Sequence, residues 1–120
     1  MRGELMESRE LVRQAVEALK DKKANGIKVI DIRNQSSICD YFVIADGDNK
    51  NQVQAMCSNV EEFLHRAGAE MKNREGYSNG GWILLDYYDI IVHIFSYESR
   101  SFYDLEHIWR DGTVLPLSDI

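Results

Sequence analysis

The sequence predicts an α/β domain, a small mixed β-sheet flanked by helices, and three observations carry the prediction. Two long segments, 8–23 and 51–67, place apolar residues at helical spacing. Short apolar and β-branched runs of strand length lie between and after them. Two of these runs, 82–86 and 89–95, are separated only by Tyr87 and Tyr88, so they pair antiparallel and the sheet is mixed.

In 8–23, Val12, Ala15, Val16 and Leu19 fall at i, i+3, i+4 and i+7 and form one apolar stripe. Ser8 is the expected N-cap, Glu10 lies near the positive end of the dipole, and Asn25-Gly26 is the stop. Residues 27–32 alternate and read as a strand, and 34–37 are a polar loop. Tyr41, Phe42, Val43, Ile44 and Ala45 form a continuous apolar run, the pattern of a central strand buried on both faces. Asp46, Gly47, Asp48 and Asn49 then turn the chain and cap the next helix. In 51–67, Val53, Met56, Cys57, Val60, Phe63, Leu64 and Ala67 keep helical spacing throughout, and Gly68 ends it. Residues 69–74 read as a short edge strand and 75–81 as a loop. After the hairpin, 99–110 give one or two short helical turns, stopped at Gly112. Residues 1–112 thus make one domain, and the tail 113–120, which holds Pro116, reads as irregular.

The composition narrows the function class. A chain of 120 residues is one domain that buries enough surface for a core without disulfides or metal. The net charge of −6 repels phosphate backbones, so nucleic-acid binding as the main source of energy is disfavoured and direct nucleic-acid readout is not expected. An acidic domain is better suited to steer a basic protein. Cys39 and Cys57 make neither a disulfide framework nor a zinc spacing, so a reducing, intracellular setting is the simpler reading. Residues 1–7 include Glu4 and Glu7 and no apolar h-region, which fits neither a signal nor a transit peptide. No apolar run reaches the roughly 18 residues of a membrane span.

The familiar catalytic constellations are missing. There is no Gly-x-Gly-x-x-Gly and no Gly-Lys-Ser/Thr, and Gly80-Gly81 precede a strand rather than a helix. Asp40, Asp46, Asp48, Asp86 and Asp89 fall near strand ends, where two-metal chemistry would need carboxylates around ions about 3.5–4 Å apart. Asp46-Gly47-Asp48 has the paired-aspartate spacing of nucleotidyltransferases, but it reads as turn and cap. His93, in mid-strand, reads as a hydrogen-bonded structural residue rather than a base. Cys57 lies on an apolar stripe as core, and Cys39 has Asp40 beside it with no cation nearby in sequence to activate it. Neither metal nor cofactor is expected.

What remains is an aromatic and acidic surface. Asp86, Tyr87, Tyr88 and Asp89 surround the hairpin turn. Phe102, Leu105 and Trp109 share one helical side and dock the last helix on the sheet, while Tyr103, Glu106 and Arg110 form a neighbouring face of interface composition. Trp82 opens a strand at the sheet rim, with core and interface both open to it.

These pieces together resemble the ribosomal silencing factor family, the RsfS or Iojap-type proteins. The resemblance runs through Ser36-Ser37-Ile38-Cys39-Asp40-Tyr41-Phe42-Val43-Ile44, Gly47, Gln52-Val53 and Glu75-Gly76. It continues through Trp82-Ile83-Leu84-Leu85-Asp86, Asp89-Ile90-Ile91-Val92-His93, Arg100, Tyr103, Leu105-Glu106 and Trp109. It implies a nucleotidyltransferase-like α/β fold without established catalysis. It also implies binding to the large ribosomal subunit through its ribosomal protein number fourteen, at an intersubunit bridge. Occupying that site would block joining of the small subunit and repress translation when nutrients are scarce. The setting implied is the bacterial cytoplasm.

By motif, the resemblance makes Trp82, Leu84, Asp86, Asp89, Arg100, Tyr103, Leu105 and Glu106 the partner-binding residues, and Tyr87, Tyr88 and Asp104, beside them in the aromatic and acidic surface, are assigned with them. His93, Phe102 and Trp109 would support them. A metal-dependent nucleotidyltransferase using Asp86, Asp89 and Asp46, and a dimerising adaptor, are the alternative readings, and a homodimer stays open. Two positions depart from the family pattern. Tyr88 stands where the family often has Gly, at a cost of roughly 1–2 kcal/mol if that turn needs positive φ. Asp46 and Asp48-Asn49 stand where small hydroxyl residues are common.

Overall fold

A computed structural model describes residues 3–34, 37, 39–77, 81–103 and 112–120. The elements run α1 (Gly3–Asp21), β1 (Asn25–Asp31), β2 (Tyr41–Gly47), α2 (Lys50–Arg66), β3 (Asn73–Glu75), β4 (Trp82–Asp86), β5 (Ile90–Ser96), α3 (Tyr97–Tyr103) and β6 (Thr113–Leu115). A 3-10 turn (Leu117–Asp119) follows. Among the described residues the strands form one sheet in the order β3-β4-β5-β2-β1-β6. The central pair, β2 and β5, is parallel, and the neighbouring pairs are antiparallel. The sheet is therefore mixed, as the sequence predicts.

The apolar run of β2 explains its central place, since all seven of its residues are buried. On one face of the sheet, the stripes of α1 and α2 close over Val29, Val43, Ala45, Ile83, Leu85, Val92 and Ile94. Cys57 is part of this core. On the other face, Ile30, Ile32, Phe42, Ile44, Ile91 and Phe95 form a second cluster, with Trp82 and Leu84 at its border. α3 follows β5 without a break and lies against β5 and β2.

Four boundaries differ from the sequence expectation, each for a physical reason. Ser8 is not the N-cap of α1 but lies inside it, buried, its hydroxyl 3.2 Å from Asp40 Oδ2. Glu4, Leu5, Met6 and Glu7 all tolerate a helix, so nothing stops it at Ser8. The helix also ends before Asn25-Gly26. Lys23 takes the left-handed conformation at φ +59°, with Lys23 N donating to Lys20 O and Ala24 N to Leu19 O. That double closure is a Schellman motif. The same closure at the end of α2 uses Gly68, at φ +87°, and Ala69, so the edge strand starts only at Asn73. The tail is not irregular. Thr113, Val114 and Leu115 pair antiparallel with Asp31, Ile30 and Val29, because β1 otherwise presents an open edge that a β-branched segment can satisfy. Pro116 falls just beyond this edge strand, where it breaks no ladder bond.

α2 starts as Asn49 Oδ1 accepts from Gln52 N at 2.8 Å. The Gln52 side chain then ties α2 to the end of α1. Its amide donates to Lys22 O and Lys23 O at 3.1 Å each, while its carbonyl accepts from Asp48 N at 2.6 Å. Among the described residues, no helix is long and apolar enough to cross a membrane.

Candidate protein-docking face

The β4–β5 hairpin sorts the predicted residues by strand parity. Trp82, Leu84 and Asp86 alternate with Ile83 and Leu85, and only the latter two are fully buried beneath the helices. The first three form a half-buried row on the opposite face. Opposite them in β5 stand Phe95, His93 and Ile91. The Trp82 ring stacks on Phe95 at 5.2 Å, and its Nε1–H donates to His93 Nδ1 at 3.1 Å. His93 also meets Phe42 edge-on at 4.7 Å.

His93 is buried, and desolvation pushes its pKa down to about 3, so it stays neutral. Because Nδ1 accepts, the proton resides on Nε2, which has no hydrogen-bond partner among the described residues. The unfolded chain has an ordinary histidine near 6.5 and takes up a proton that the folded chain refuses. Stability is therefore full above about pH 6.5 and declines as pH falls toward 3. The expected loss from this group is about 2 kcal/mol by pH 5. Urea titrations at pH 7 and pH 5 should show it, and His93→Phe should remove most of the difference.

The turn is built around a strained tyrosine. Tyr88 sits at φ +70°, Asp89 N donates to Tyr87 O at 2.8 Å, and Tyr87 N donates to Ile90 O at 2.9 Å. An i→i+2 bond around a residue with positive φ is a γ-turn, a tight and costly geometry. Asp86 Oδ1 supports it by accepting from Tyr88 N at 2.8 Å. The departure from glycine at this position thus carries a real backbone cost. Tyr88 is 53% exposed, with the Lys72 ammonium 5.7 Å from its ring centre. Tyr88→Gly should raise stability by about 1 kcal/mol or slightly less, since relief of the left-handed strain exceeds the added chain entropy. A thermal melt measures this directly.

Two residues grouped with the docking surface face elsewhere. Tyr87 follows the parity of Ile83 and Leu85 and is buried on the α2 side, in a cleft with Glu61 and Met71. Burial raises its phenol to about 12. Arg100 turns inward from α3. Its Nη1 donates to Gly26 O at 2.6 Å and to Asp46 Oδ2 at 2.9 Å, and both side chains of the ion pair are largely buried. Gly26 sits at φ +57° beside the register shift in β1, and a Cβ there would have to displace this guanidinium. By sequence alone Asp46 reads as part of a turn. The missed signal is that Phe42, Ile44 and Asp46 continue one alternation.

Asp89 is exposed, and its carbonyl accepts from Asp40 N at 2.8 Å, which ties the turn to the start of β2. Tyr103 ends α3, but the side chains of Phe102 and Tyr103 lie outside the described residues, as do Asp104, Leu105, Glu106 and Trp109. Among the described residues, no three acids, histidines or cysteines gather closely enough to hold a metal ion. Asp46 is level with Phe95 and Asp86 with Ile91, roughly 13 Å apart along β5. Desolvation raises the Cys39 and Cys57 thiols to about 12, well away from thiolate chemistry.

Residues 5–120 match the family model described as ribosomal silencing factor during starvation. The chain belongs to the ribosomal silencing factor family. It is similar to the ribosomal silencing factor RsfS of Halalkalibacterium halodurans, with 35% identity over 115 residues that cover 96% of this chain and 98% of that protein. It is 34% identical to RsfS of Bacillus subtilis over 115 residues, covering 96% and 95% of the two chains. The chloroplastic protein Iojap of Zea mays is 28% identical over 100 residues, 83% of this chain and 43% of that protein. A solved Chromobacterium violaceum structure superposes with a TM-score of 0.82 at 34% identity, covering 84% of each chain. A Bacillus halodurans structure gives 0.81 at 33% identity, over 90% of this chain and 98% of that one. The silencing-factor relatives are named for a regulatory role rather than for a reaction.

Proposed function

We propose that this chain represses translation by binding the large ribosomal subunit through its bridge-forming ribosomal protein number fourteen. Bound there, it blocks joining of the small subunit when nutrients are limiting, in the cytoplasm of a bacterium. The observation that carries this reading is the row Trp82, Leu84 and Asp86, in a chain of the silencing factor family. An indole and a leucine with a carboxylate beside them have the make-up of an interface hot spot with a polar rim. Trp82 is held by its stack on Phe95 and its bond to His93, so little side-chain freedom is left to lose on docking. The net charge of −6 favours encounter with a basic ribosomal protein. Silencing of this kind needs no bond chemistry, only occupancy of a surface that the small subunit must also use.

The test is sedimentation with purified subunits. The chain is expected to travel with large subunits, and to slow 70S formation when added before the small subunit. Failure to travel with large subunits free of small subunits would sink the proposal.

A further inference from the structure

The chain is acidic as a whole, yet four of its six lysines meet at one place. Lys20 lies in the last turn of α1, Lys22 and Lys23 follow in the turn that closes it, and Lys50 begins α2. The Gln52 amide, bonded to both Lys22 O and Lys23 O, fixes these two segments side by side. All four lysines are exposed, and among the described residues none is within ion-pair distance of a carboxylate. Asp21 and Asp48 nearby keep their charge, but neutral amides hydrogen-bond them and the four lysines outnumber them. Asn59 binds Asp21 at 3.1 Å, and Asn25 binds Asp48 at 2.9 Å. Lys23 occupies a left-handed position that the matching turn of α2 gives to Gly68.

The sheet register places this cluster relative to the docking row. Trp82 pairs with Phe95, Phe95 with Asp46, and Asp46 with Asn25, so one line crosses four strands. At about 4.8 Å per strand, the backbones of Asn25 and Trp82 lie roughly 15 Å apart at the same end of the sheet, with the lysine turn on the helix layer and the Trp82 side chain on the other face. A host that wraps this end of the sheet meets both, the protein partner on one face and RNA on the helix side. The positive end of α2 adds to the same field.

We propose that Lys20, Lys22, Lys23 and Lys50 form a second contact surface that takes the phosphate backbone of ribosomal RNA beside the protein partner. The footprint then has two signs: carboxylates and an indole for a basic protein, and ammonium groups for phosphates. The contact reads charge rather than sequence, so the energy of binding still comes mainly from the protein interface. The inference rests on the proposed function, since it takes the large subunit as the host.

The experiment compares wild type with the triple variant Lys22→Gln/Lys23→Gly/Lys50→Gln on purified large subunits and on the isolated ribosomal protein number fourteen, across a salt series. The variant should bind subunits about tenfold more weakly near 0.1 M salt, with a log–log salt slope shallower by about two to three. Its affinity for the isolated protein should match that of wild type within about twofold. Equal binding of subunits by variant and wild type would overturn the RNA contact and leave the proposed function standing. So would an equal loss on both targets. A wild type that binds neither target overturns both readings.

Discussion

Leu84→Arg should weaken binding to large ribosomal subunits by about a hundredfold or more while the fold survives. Leu84 is half-buried at the middle of the docking row, opposite His93 and between Trp82 and Asp86. The substitution removes an apolar contact worth about 1.5–3 kcal/mol and adds a cation facing a basic partner. A hundredfold loss corresponds to about 2.8 kcal/mol, which these two effects reach together. The arginine stem can lie along the sheet with its head in water, so the melting temperature should move by only a few degrees. Met71→Arg, on the α2 side of the sheet, is the control and should bind as wild type does. Normal subunit binding by a folded Leu84→Arg protein would remove this face from the interface.

Arg100→Ala should produce the largest loss of stability, about 3 kcal/mol or more. The guanidinium serves Asp46 Oδ2 and the Gly26 carbonyl from a site where both partners of the ion pair are nearly out of water. Removing it strands a buried carboxylate whose second oxygen, Oδ1, already lacks a partner among the described residues. In a domain of this size the melting temperature should fall by roughly 10 °C. The double variant Asp46→Ala/Arg100→Met should recover much of the loss, because neither charge is then left alone. If Arg100→Ala melts like wild type, the clamp contributes nothing measurable.

Most of the fold is written in local pattern. Helical spacing locates α1 and α2, an unbroken apolar run locates the central strand, and parity divides β4 into two faces. Parity also assigns Tyr87, which goes with Ile83 and Leu85 although its neighbours in the turn do not. What local pattern cannot supply is partnership across the chain. Asp46 and Arg100 are 54 residues apart, and only the pairing of β2 with β5 brings them together. The pairing of β6 with β1 depends on an open edge, which no property of residues 113–115 announces. The Trp82–His93 bond depends on a hairpin register that places Leu84, not Trp82, directly opposite His93. The lysine cluster likewise arises from two helix ends that meet only after folding.

The parallel pairing of β2 and β5 has a kinetic consequence. Parallel neighbours cannot be joined by a tight turn, so β2 waits for α2, β3 and β4 to be made before its partner exists. The Asp46–Arg100 clamp, closing over that pair from the following helix, belongs to the late side of the folding barrier. Its loss should therefore appear mainly as faster unfolding, with the refolding rate little changed. On this view the clamp governs the lifetime of the folded molecule, and the hairpin with its docking row can assemble before it closes.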